Sequence, residues 1–308
     1  MPEIQAQPTT PTEQPTAAGS RVIAVVNQKG GVGKTTTAIN LAAGLALEGV
    51  PTLLIDCDPQ GNATAGLGVA RSEDRLSVYD VISGASLGEA IQKTGVDNLS
   101  IVPGSKNMIG ANLELVGAER REFRLRDGLA AVRSEFRFIV LDCPPALDLL
   151  TLNALVAADG LLVPMQAEYF ALEGITELMQ TLDRVAQGFN PSLALEGVLL
   201  TMYDDRTNLS QQVAANLKQF FGDKLYATTI PRNVRLAEAP SHGKPVQMYD
   251  PKSRGAEAYT ALALELLQRS RVPSPKKTRK PESAKSSANG SAGAPAEKKS
   301  PKFWPYNK

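Results

Sequence analysis

The chain has 308 residues, is 43% hydrophobic and 21% charged, and carries a formal net charge of +1. That is a soluble, globular composition, long enough for one large α/β domain or two small ones. No apolar run approaches the ~20 residues that cross a bilayer, and a single histidine, His242, argues against a His-based metal site or a Ser-His-Asp triad.

Charge is unevenly placed. Residues 1–20 hold Glu3 and Glu13 with no basic residue, while residues 272–308 hold nine Lys/Arg against two Glu. Both ends are rich in Pro, Ser, Ala and charge, too poor in apolar surface to order, and are expected to be disordered extensions of a domain at 21–271. The basic tail is a solubilising extension or a weak handle on an anion, and Trp304 lies in it. The start lacks the charge and apolar stretch of a signal peptide, so a cytoplasmic location with reduced Cys57 and Cys143 is expected.

In chain order, "RVIAVVNQ" reads as a buried strand and "KTTTAINLAAGLALEG" as a helix ending at Gly49. "PTLLIDCD" is a second strand. "SLGEAIQ" opens a helix with an apparent capping box, Ser86 with Glu89. "LSIVPG" is a strand and "REFRLRDGLAAVRSEF" one amphipathic helix. The strand "FRFIVLDCPP", the helix "LLTLNALVAA", the strand "GLLVPM" and the helix "ALEGITELMQTLDRVAQGF" follow. Then come the strand "LEGVLLTMYD", the helix "NLSQQVAANLKQFFG", the strand "LYATTIP" and a closing helix "RGAEAYTALALELLQRS". Strands alternating with helices predict a doubly wound, mostly parallel α/β sheet flanked by helices, with its ligand beyond the C-terminal strand ends.

The chemistry falls at those ends. In "NQKGGVGKTT" a strand runs into a Gly-rich turn and a helix, the context of a phosphate-binding loop. Backbone N–H groups of Lys29, Gly30, Gly31, Val32, Gly33, Lys34, Thr35 and Thr36 curl toward an anion; Lys34 reaches the β- and γ-phosphates of ATP, and the Thr35 hydroxyl reaches Mg²⁺. Gln28 stands where the usual motif has its first glycine, and Lys29 is an extra lysine. Asp142, closing "FIVLD", faces the loop and is the second Mg²⁺ candidate. In "DCDPQGN", Asp58 lies beyond the strand end. It either orients the attacking water or belongs to an ordinary Asp-Pro turn.

These stretches, with "TIPRNVRLAEAPSHGKP", resemble the ParA/Soj chromosome- and plasmid-partitioning ATPases, deviant Walker A relatives of MinD and the nitrogenase iron protein. The resemblance runs from about Val22 to Leu267 and leaves the tails uncovered. It implies a weak intrinsic ATPase that forms an ATP-bound homodimer, in which Lys29 crosses the interface to the other subunit's phosphates. It further implies Asp58 as the water-positioning residue, Thr35 and Asp142 for Mg²⁺, and Pro231 and Asn233 around the adenine. The implied partners are double-stranded DNA, bound without sequence preference, and a ParB-type protein that stimulates hydrolysis, with nucleoid association and no membrane. DNA candidates are Arg206, Arg232, Arg235 and Lys252, with Lys244 and Arg254 beside them, as phosphate contacts. Cys57 and Cys143 do not lie in the loops of the iron protein's cluster, and the tail lacks MinD's membrane helix. An adaptor that uses nucleotide state to choose protein partners is the alternative, separated by whether DNA affinity requires ATP.

Overall fold

The computed structural model describes residues 19–70, 72, 74–168 and 171–272; the side chains of 111–113 and 171–173 are outside the description. The expected extensions and Trp304 fall almost wholly outside it.

Seven strands form one sheet: β1 (Arg21–Val25), β2 (Thr52–Asp56), β3 (Gln92–Lys93), β4 (Leu99–Val102), β5 (Phe138–Asp142), β6 (Gly160–Gln166) and β7 (Ala194–Thr201). Their order is β3-β4-β2-β5-β1-β6-β7, and all pair in parallel except the short edge strand β3. Both faces are apolar because successive side chains alternate between two cores. Val22, Ala24, Leu53, Ile55, Ile139 and Leu141 face one; Ile23, Val25, Leu54, Phe138 and Val140 face the other.

The helices in chain order are α1 (Lys34–Leu47), α2 (Asn62–Gly66), α3 (Val78–Ser83), α4 (Leu87–Ala90), α5 (Met108–Glu114) and α6 (Arg124–Leu129). After these come α7 (Leu149–Ala157), α8 (Ala171–Gly188), α9 (Asn208–Phe221), α10 (Val234–Glu238), α11 (Val246–Tyr249) and α12 (Arg254–Arg269). Helices α1 and α12 cover one face, where Gly44 lets them approach: a Cβ there would lie 2.9 Å from that of Ala263. Helices α3, α6, α7 and α8 cover the other. The doubly wound expectation holds.

Three local expectations do not. "LYATTIP" runs beside β7 without forming a strand: isolated bridges join Val198 to Leu225 and, past the end of β7, Tyr203 to Pro231, and the Tyr226 and Ile230 N–H groups donate to the Val198 and Leu200 carbonyls at 2.9 and 2.8 Å. Between them, the Ala227 and Thr228 N–H groups donate to the Glu265 carboxylate on α12, both at 2.9 Å, so these two donors go to a helix rather than to the sheet. The expected helix at 121–136 divides into a 3₁₀ turn at Arg121–Phe123, then α6, then a 3₁₀ turn at Arg133–Glu135. The tighter turns bring Val132 into the core and Arg133 to Asp159 at 2.5 Å. The Ser86 side chain caps nothing, because its helix is a single turn that Ile91 leaves for β3. A capping box sits instead at α3, between Ser77 and Asp80, where the Ser77 N–H and hydroxyl both donate to the Asp80 carboxylate at 2.7 Å.

Candidate functional site: a phosphate loop ringed by three aspartates

The strand register puts the key residues on one level. Val25 pairs with Asp142 across β1–β5, and Asp56 pairs with Asp142 across β2–β5. The loop 27–33 leaves β1 beside them and enters α1 through Gly33, whose φ of 87° only glycine adopts without strain. Gly31 is also left-handed, at φ 75°, and a Cβ on Gly30 or Gly31 would meet nothing within 4 Å. Open space of that kind above backbone N–H groups is what an incoming phosphate requires. The loop is braced from outside: Asn27 accepts from the Lys29 N–H at 2.9 Å and donates to the Pro164 carbonyl at 2.8 Å. Gln166 and Thr201 donate to the Gly31 and Val32 carbonyls at 3.0 and 2.8 Å.

The two lysines are in different surroundings. Lys34 is 7% exposed and donates to the Lys29 carbonyl at 3.0 Å. Burial lowers its pKa, and the carboxylates of Asp142 and Asp58 partly restore it. The Lys29 side chain is 56% exposed and pairs with Glu168 just beyond β6. Glu168 lies in a stretch the sequence marks as a strand end, but only the fold shows that it faces Lys29.

Asp142 is fully buried, and among the described residues neither carboxylate oxygen has a well-formed hydrogen bond, the Thr35 hydroxyl being the nearby donor. Burial first, then the nearby Asp56, push its pKa well above the usual carboxylate range, while Thr35 and Lys34 pull it down. A buried, unpaired carboxylate beside a threonine hydroxyl and an open phosphate cradle fits a hydrated Mg²⁺ ion. Asp56 is fully buried too, and desolvation raises its carboxyl to about 6. Asp58 is 9% exposed; its carboxylate accepts the Gln60 N–H at 2.8 Å, the geometry of an Asp-Pro turn. The turn is therefore physically present, and the carboxylate is close enough to Lys34 to raise that lysine's pKa.

Pro231 bridges Tyr203 beyond the end of β7, and Asn233 caps α10, its side-chain oxygen accepting the Arg235 N–H at 2.8 Å. Arg206 and Arg235 are exposed but paired, Arg206 with Asp204 and Arg235 with Glu238 and Asp250. Arg232 and Lys252 are exposed and have no ion pair among the described residues. The thiols of Cys57 and Cys143 are buried one residue past Asp56 and Asp142, and burial raises both.

The AAA domain family matches residues 20–195. The chromosome partitioning protein ParA of Caulobacter vibrioides is 51% identical over 254 residues, covering 82% of this chain and 95% of that one. The sporulation initiation inhibitor protein Soj of Bacillus subtilis is 52% identical over 247 residues, covering 80% and 98%. The chain belongs to the ParA/Soj family of partitioning ATPases. Its fold also matches solved structures. A cobyrinic acid a,c-diamide synthase from Mycobacterium smegmatis with bound ADP and magnesium superposes with a TM-score of 0.70 at 35% identity, over 84% of this chain and all of that one. The septum site-determining protein MinD of Pyrococcus horikoshii, complexed with Mg-ADP, has a TM-score of 0.66 at 26% identity, over 82% and 97%. As a ParA/Soj protein this chain is an ATP hydrolase that uses ATP with Mg²⁺. Among its described residues no helix is long and apolar enough to cross a membrane.

Proposed function

We propose that this ParA/Soj protein is an ATP-gated DNA-partitioning switch. Two chains close face to face on two ATP molecules, and the dimer binds double-stranded DNA through its phosphates. A ParB-type partner stimulates hydrolysis, which releases the DNA. The roles follow the site. The loop from Lys29 to Thr36 holds the phosphates, Lys34 contacts the β- and γ-phosphates, and Pro231 and Asn233 flank the adenine. Thr35 and Asp142 would hold Mg²⁺, which when bound offsets charge building on the phosphate oxygens. Asp58 orients the water. Arg206, Arg232, Arg235 and Lys252 meet DNA phosphates.

The observation that carries this reading is the contrast between the lysines. Lys34 is packed into its own loop, whereas Lys29 stands at the loop's mouth on a side chain 56% exposed to solvent. Its pair with Glu168 is a surface ion pair worth ~0–1 kcal/mol, which facing polyphosphates readily displace. A lysine so placed serves a charge arriving from outside its own subunit, and two facing nucleotides need such an offset.

Sedimentation velocity with and without ATP and a DNA duplex tests the switch. A dimer that forms with ATP, and DNA binding that appears only with it, are expected. DNA binding indifferent to ATP would refute the switch and favour an adaptor.

A further inference from the structure

We propose that Asp56 and Thr64 are positioning residues for hydrolysis, holding the loop that carries Asp58 in the shape that aims its carboxylate. This rests on the reading of Asp58 as the water-orienting residue. Asp56 ends β2, and one carboxyl fastens both ends of the loop that follows. Its Oδ1 accepts the Asp58 N–H at 3.3 Å. Its Oδ2 accepts both the Thr64 N–H at 2.8 Å and the Thr64 hydroxyl at 2.6 Å. Residues 58–63 are thereby closed into a loop pinned at start and finish to a single fully buried group.

A second anchor fixes that clamp to the sheet. The Thr64 Oγ1 that donates to Asp56 also accepts the Gly104 N–H at 3.0 Å, just past the end of β4. Gly104 is the residue the clamp tolerates there: a Cβ would lie 2.9 Å from the Asp58 carbonyl oxygen and 3.0 Å from the Asp56 carboxyl carbon. Inside the loop the chain turns back on Asp58. The Gln60 N–H donates to its carboxylate at 2.8 Å and the Gly61 N–H to its carbonyl at 2.8 Å. The direction of the Asp58 carboxylate therefore depends on where residues 60 and 61 lie, and their positions depend on the Asp56–Thr64 clamp. Asp56 does not itself need to touch the nucleotide.

The test uses Thr64→Val, which keeps the shape and removes the hydroxyl that joins Asp56 to Gly104, together with Thr64→Ser, Asp58→Ala and the Asp58→Ala/Thr64→Val pair. ATPase rates are read beside the Kd for a fluorescent ATP analogue and the Tm. Because displacement of a catalytic group by ~1 Å costs about 10²-fold in rate, Thr64→Val should lose about tenfold or more in kcat while its nucleotide Kd stays within about twofold. Thr64→Ser should recover most of the loss, and the double variant should hydrolyse no more slowly than Asp58→Ala. A Thr64→Val protein with the parent kcat and a lower Tm would make the clamp structural and overturn the proposal. So would a weakened Kd with unchanged kcat. Should Thr64→Val not fold, Asp56→Asn is read by the same split, with the same outcomes counting for and against. If Asp58→Ala hydrolyses at the parent rate, the reading of Asp58 falls and this one with it. If Asp58→Ala is inactive while Thr64→Val is not, only the clamp falls.

Discussion

Asp142→Asn should make the nucleotide-free protein more stable and the enzyme inactive. Asp142 is wholly buried, its oxygens without a well-formed hydrogen bond among the described residues, and it lies directly opposite buried Asp56 in the β2–β5 register. Leaving a buried polar group unsatisfied costs ~1–3 kcal/mol, and more when it is charged. The shift of Asp56 from 3.8 to about 6 gives the order of magnitude: at ~1.4 kcal/mol per pKa unit, ionising that neighbouring carboxyl costs ~3 kcal/mol. An asparagine is neutral, similar in shape, and offers N–H donors to the neighbouring carboxylates. A gain of ~1–3 kcal/mol at neutral pH is expected, which raises Tm by roughly 2–10 °C for a domain of this size.

The pH dependence has a definite sign. Both carboxyls have folded pKa values raised above the unfolded one. Their favourable contribution is complete below the unfolded value and is lost as pH rises through the folded ones. For Asp56 that window runs from 3.8 to about 6, and for Asp142 it extends higher. The gap in Tm between variant and parent should therefore be small near pH 4 and widen toward neutrality. Thermal melts across pH, with and without Mg·ATP, check both halves: Mg·ATP should stabilise the parent far more than the variant. A variant that melts at or below the parent without nucleotide, or that hydrolyses ATP normally, would refute the assignment of Asp142 as a Mg²⁺ carboxylate.

Three further outcomes follow from the site. Lys29→Ala should bind the ATP analogue yet fail to dimerise or hydrolyse, whereas Lys34→Ala should lose tight binding itself; ATP-dependent dimers of Lys29→Ala in light scattering would remove the role across the interface. Asp58→Ala should keep ATP and Mg²⁺ and accumulate as a DNA-bound dimer, and parent-rate hydrolysis would leave only the turn. Changing Arg206, Arg232 and Arg235 to Glu should weaken ATP-state DNA binding at unchanged ATP affinity, each lost phosphate contact lowering the salt slope by about one; binding that keeps its salt slope would move the DNA face elsewhere.

The candidate phosphate loop is legible in the sequence because its pattern is local. A strand, a Gly-rich turn and a helix start occupy one short stretch, and Asp142 announces itself at the end of four apolar β-formers. What the sequence hid depends on register or on competition for backbone donors. Nothing in "DCDPQGN" says that Asp56 reaches Thr64, because the closure of that loop needs the β4 exit at Gly104. The Lys29–Glu168 pair joins residues 139 apart. "LYATTIP" has strand composition, yet Glu265 on a distant helix takes two of its donors. Ser86 and Glu89 match a capping pattern, but the chain is drawn into the sheet edge one turn later.

Two of the four DNA candidates are already paired. Arg206 donates to both oxygens of Asp204 at 2.8 Å and holds that carboxyl down at about 2. Arg235 engages Glu238 at 2.7 Å and Asp250 at 3.2 Å. These pairs are exposed, with the Arg206 side chain 84% accessible, so water and salt screen them and each contributes little. A DNA phosphate, whose binding also releases counterions, can outbid such a partner. The displaced carboxylate then stays near the DNA and repels it. In the proposed dimer each contact would be weak on one subunit, and useful affinity would arise when two subunits engage one duplex together. Neutralising the competitors with Asp204→Asn and Glu238→Gln should thus raise ATP-state DNA affinity by about two- to fivefold. Fluorescence anisotropy on a labelled duplex measures it at fixed salt. Weaker binding by these variants would mean that the carboxylates orient the guanidinium groups toward phosphate rather than compete for them.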